Sequence, residues 1–106
     1  GTAPGISAGT AACTSPTVSV SGTDTSGRIT VTTGTGCASG GRLATITFAT
    51  AFGAAPRVTL TPASQNAAGL TTYIDDSTIS TTAFDLSTTT TAANSTTYRW
   101  YYHVIQ

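Results

Sequence analysis

The chain has 106 residues, 39% hydrophobic and only 8% charged, with a formal net charge of zero and a pI near 6.7. That length suits one domain with one thin core, and the charge balance excludes the basic field that nucleic-acid binding needs. No apolar run approaches the ~20 residues of a membrane-spanning helix, so no membrane insertion is expected, and none reads as a signal peptide.

Residues 1–16 are rich in Ala, Gly, Ser and Thr and read as an irregular lead-in or linker. The start at Gly1-Thr2, without Met, reads as an excerpt or a processed product of a longer chain. A single domain is expected over residues 17–106. There is no Lys and no Glu, and Thr makes up nearly a quarter of the chain. Polar tracts stay disordered when they bury too little apolar surface. Here Val, Ile, Phe and Tyr recur at short intervals between threonines, whose β-branched side chains suit a pleated strand.

Thr17–Ser21 and Arg28–Thr32 alternate apolar and polar residues around the turn-rich stretch Gly22–Gly27, which predicts a β-hairpin. Pairing Val20 with Ile29 and Val18 with Val31 puts the apolar pairs on one face. Continuing that register outward brings Cys13 to within one position of Cys37, a candidate disulfide at the base of the hairpin; the alternative is two free, buried thiols. A bridge would suit an oxidising, extracellular setting.

Leu43–Phe48 and Arg57–Thr61 flank Phe52-Gly53-Ala54-Ala55-Pro56 and predict a second hairpin, with Ile46 opposite Leu60 and Phe48 opposite Val58. Pro62 stops that strand or confines it to an edge. Further strands are expected at Leu70–Asp75, Thr82–Ser87 and Thr97–Ile105, with a loop over Thr88–Ala93. The total is about seven short strands and no major helix: an all-β, antiparallel β-sandwich, jelly-roll-like. In the last strand Tyr98, Trp100, Tyr102 and Val104 share one face, and Arg99, Tyr101, His103 and Ile105 the other. A strand apolar on both faces is normally covered on both, which points to a subunit interface on the second.

With these segments in place, Val18–Gly36, Leu43–Phe52, Ala55–Ala63 and the closing Tyr98–Ile105 resemble the C-terminal domains of bacteriophage tail fibres and related virion fibres. The likeness spans most of the chain from Val18 onward. It implies a β-sandwich knob, trimeric about the fibre axis, attached to a shaft in the virion and serving host-surface recognition. It carries no catalytic residues to transfer, and the Cys13/Cys37 pair is not part of it.

The remaining constellations have plain readings. His103 is the only His, and among many serines a Ser/His/Asp coincidence is cheap; no Gly-x-Ser-x-Gly elbow is present. No enzyme activity, cofactor or metal is expected, although a three-fold His103 cluster is one conceivable metal site. Asp75-Asp76 and Asp24 fit turn chemistry better than calcium binding, since Asp accepts hydrogen bonds from nearby backbone amides. Asn94-Ser95-Thr96 matches a glycosylation acceptor, a pattern common by chance in such a chain.

The expectation is therefore a non-enzymatic, homotrimeric fibre knob that binds a host cell-surface glycan or protein, or caps the fibre. Tyr73, Asp75, Asp76 and Asn94 are the candidate glycan contacts, and Arg99, Tyr101, His103 and Ile105 the candidate trimer interface. The alternative is a monomeric carbohydrate-binding module of a secreted protein. An ice-binding surface is disfavoured because the Thr-x-Thr runs lack a fixed period.

Overall fold

The computed structural model describes residues 3–105. Eight strands form two antiparallel four-stranded sheets. The strands are β1 Gly5–Ala8, β2 Thr17–Gly22, β3 Ser26–Thr32, β4 Gly41–Thr47, β5 Arg57–Pro62, β6 Thr72–Ile74, β7 Ala83–Thr88 and β8 Thr97–Ile105. The first sheet runs β1-β4-β7-β6 and the second β2-β3-β8-β5. Only the β2–β3 and β6–β7 connections stay within one sheet; the others cross between the two, as in a β-sandwich. The one α-helix among the described residues, α1, is a single turn at Gln65–Ala68, capped by the Ser64 hydroxyl, which accepts from the Ala67 amide.

The β2–β3 hairpin has Val18 opposite Val31 and Val20 opposite Ile29, with the turn closed from Thr23 to Ser26. The pairing register continues beyond the strands to a bridge between Thr14 and Thr35. Just past it, Cys13 and Cys37 form a disulfide with Cα atoms 4.9 Å apart.

Two expectations are corrected. Residues 1–16 are not all lead-in, because Gly5–Ala8 pairs with β4, Ile6 opposite Ile46 and Ala8 opposite Ala44. The segment alternates, but it is too short and too poor in large apolar residues to announce a strand without its distant partner. The second predicted hairpin does not form. β4 lies between β1 and β7, whereas β5 pairs with β8, Val58 opposite Val104 and Leu60 opposite Tyr102. Residues 48–56 carry the chain from one sheet to the other. Alternation identifies a strand's buried face but not the sheet it joins. The Leu70–Asp75 strand shortens to β6, with Leu70 buried beside α1.

The core lies between the sheets. Ile46, Phe84 and Leu86 from one side meet Ile29, Val31, Trp100 and Tyr102 from the other, all buried. Phe84 lies within 6.3 Å of Tyr102 and 5.7 Å of Phe48, ring centre to ring centre. The indole N–H of Trp100 donates to the Thr72 hydroxyl at 3.2 Å, tying the second sheet to β6 of the first. Every buried side-chain polar atom among the described residues has a hydrogen-bond partner.

Candidate binding face

β8 occupies the inner position between β3 and β5, so its alternation divides the molecule. Tyr98, Trp100, Tyr102 and Val104 point into the core, while Arg99, Tyr101, His103 and Ile105 are exposed. Tyr101 is 57% and Ile105 56% exposed, high for side chains of this size on a central strand.

The neighbouring strands complete the face. Arg28 of β3 lies directly opposite Tyr101, and Ser21 of β2 lies opposite Arg28. On the other side Thr61 lies opposite Tyr101, Thr59 opposite His103 and Arg57 opposite Ile105. Directly opposed residues in antiparallel strands have Cβ atoms about 5 Å apart, so Ser21, Arg28, Tyr101 and Thr61 form one row across the sheet. Thr30 and Arg99 oppose each other in the next row on this face.

A shallow, open cleft of about 560 Å³ sits at the β2–β3 end of the first row, walled by Arg28 and Tyr101 and edged by Ser21 and Ser26. Gly22 and Gly27 also line it, in the register row of Tyr102, whose side chain points inward. Gly22 has φ +120°, which strains any other residue, and a Cβ on Gly27 would lie 2.2 Å from the Ser21 carbonyl oxygen and 2.7 Å from the Tyr102 hydroxyl. Tyr102 packs beneath, its hydroxyl donating to the Thr23 carbonyl. Burial pushes its phenol up to about 12, with the Asp24 charge adding to the shift.

The expected glycan contacts do not assemble into one site. Tyr73 is 42% exposed on the outer face of the first sheet, opposite Ser87. Asp75 caps a 3-10 turn at Asp76–Thr78, accepting from the Ser77 amide and hydroxyl. That turn packs on the start of β7 through Thr78 and Asp85. Asn94 lies past the other end of β7, where its side-chain carbonyl accepts from the Cys37 amide at 3.0 Å. Tyr73 and Asp75 are thus near neighbours, and Asn94 belongs to the disulfide end.

Among the described residues no group of His, Cys, Asp or Glu is arranged to hold a metal ion. His103 stands on the exposed face with Ser26 and Thr59 as register neighbours. Arg28, Arg57, Ser21 and Ser26 were not singled out from the sequence. The phase opposite Ile29 and Val58 marks both arginines as outward-facing, but nothing local shows that β8 unites them. No protein-family model, curated protein or solved structure matches the chain.

Proposed function

We propose that this domain is a non-enzymatic knob of a phage-type fibre that binds a host-surface glycan outside the cell. One observation carries the reading: the exposed Tyr101 ring stands on an inner strand beside an open cleft lined by Arg28, Ser21 and Ser26. A tyrosine ring offers an apolar face to a sugar ring and a polar tip to its hydroxyls. Placing it on paired strands keeps the ordering cost of binding low. The likeness to tail-fibre C-terminal domains supplies the setting, and the Cys13–Cys37 bridge suits an oxidising compartment.

The test is a glycan array probed with the purified domain, beside Tyr101→Ala at matched melting temperature. Signal on a subset of glycans, weakened by the substitution, supports the reading. Absence of signal on every glycan and on whole bacterial surfaces overturns it.

A second reading is favoured by Ile105, an apolar side chain 56% exposed on the same face: three copies pack there about a fibre axis. Light scattering decides this. A trimer dissociated by Ile105→Asp makes the face a subunit interface, whereas a monomer leaves the single-copy binding module.

A further inference from the structure

A net charge of zero conceals a sorting of the charges in space. Three of the four basic residues, Arg28, Arg57 and Arg99, lie on the outward face of the second sheet. No carboxylate shares that face among the described residues of its four strands. The acids lie elsewhere, Asp76 in the 3-10 turn that follows β6. Asp24, in the hairpin turn, turns both oxygens to the amides of Ala49 and Thr50. Asp75 binds Ser77 and Asp85 accepts from the Thr45 hydroxyl. The fourth arginine, Arg42, donates to that same Thr45 on the first sheet.

Two ordinary explanations for surface arginines fit poorly. Charges that block edge-to-edge aggregation belong on edge strands, yet Arg28 and Arg99 sit on the two inner strands, β3 and β8. Charges kept for solubility are interspersed in sign, and these are of one sign. Packing this face against its own copy would bring like charges together, which costs free energy.

Taking the glycan-binding reading above as its base, we infer that the ligand is an acidic saccharide, with Arg28 reading a sugar carboxylate while Tyr101 stacks on the same or the adjacent ring. Arginine presents a planar fork that pairs bidentately with a carboxylate. Ser21 and Ser26 line the same cleft beside Arg28 and Tyr101, where their hydroxyls can bond a sugar's hydroxyls. Arg99, in the row next to Arg28 and Tyr101, and Arg57, opposite Ile105 on the other side, add positive charge along the same face.

The experiment titrates the whole domain by calorimetry with oligomers of galacturonate, mannuronate and α2,8-linked sialate, each beside its carboxyl-reduced counterpart. Parallel titrations use a DNA duplex, and light scattering gives the mass of each sample. The expected result is binding of at least one acidic oligomer, weakened about tenfold or more by carboxyl reduction and by Arg28→Gln, as loss of a charged hydrogen-bonded pair predicts. Tyr101→Ala weakens the same binding, and both variants keep the parent's melting temperature.

Equal binding of acidic and reduced oligomers overturns the inference and leaves the glycan reading standing. Binding of neither overturns the inference, and with a blank glycan array the base reading falls too. DNA binding as tight as oligomer binding and indifferent to Tyr101→Ala marks a nonspecific anion surface and overturns it. A trimer that Tyr101→Arg dissociates assigns the face to self-assembly and overturns it as well.

Discussion

Asp24 and Ala49 are joined across the two sheets: the carboxylate in the β2–β3 turn accepts the Ala49 amide at 2.9 Å. Its other oxygen accepts the Thr50 amide, also at 2.9 Å. A residue that reads as simple turn chemistry in sequence thus fastens the tip of one sheet to the loop leaving the other. Two backbone donors on one carboxylate make charge-assisted hydrogen bonds, each stronger than a neutral one. Asp24→Ala is expected to cost about 1–3 kcal/mol, and Asp24→Asn less, since one acceptor oxygen remains. Urea unfolding of the three proteins checks this; equal midpoints would remove the clasp from the account.

The Cys13–Cys37 bridge, 24 residues apart in sequence, is expected to stabilise the fold by about 3 kcal/mol through restriction of the unfolded chain. Cys13 adopts φ +78°, a conformation that non-glycine residues seldom adopt, and the bridge helps hold it there. Reduction, or the paired change Cys13→Ala and Cys37→Ala, should lower the unfolding midpoint. An unchanged midpoint would show that the hairpin base is held by its hydrogen bonds alone.

Thr72→Val keeps the side-chain shape but removes the acceptor for the Trp100 indole, which is fully buried. An unpaired buried donor costs about 1–3 kcal/mol, and the loss is expected within that range. Trp100 is the single tryptophan, so its fluorescence reports both the unfolding curve and any change in its surroundings.

Tyr102 gives a pH dependence of defined sign. Its phenol ionises near 10.0 when exposed and at about 12 in the fold. Between those values the folded state holds a proton that the unfolded state has released, so stability falls as pH rises from about 10 to about 12 and is unaffected by this group below. Tyr102→Phe loses the hydrogen bond to Thr23, about 1 kcal/mol at neutral pH. The gap between variant and parent should then narrow over the alkaline window. A constant gap from pH 8 to 12 would contradict the assignment.

The first hairpin and its continuation to the cysteines are local, and alternation plus a turn determined their register: Val18 opposite Val31, Val20 opposite Ile29, and Cys13 near Cys37. The inward and outward faces of β8 followed from the same period of two. β5 shows where that reasoning stops. Val58 and Leu60 point to the core as the pattern predicts, but their strand partners are Val104 and Tyr102 rather than Phe48 and Ile46. The period of two marks Arg99, Tyr101, His103 and Ile105 as one outward face, which the sequence reading gives to a trimer interface and not to a glycan, and no local signal joins Arg28, Arg57 or the serines to it.

The all-β antiparallel fold, the burial phase of its main strands and one hairpin register are legible in the chain, because they depend on residues a few positions apart. That Gly5–Ala8 is a strand, that β4 and β5 lie in different sheets and that three arginines share one face emerge from the assembled fold. Each of those outcomes is a pairing between segments distant in the chain, selected by which apolar faces close the common core. A short-range pattern marks the face to be buried and is silent on the partner that buries it.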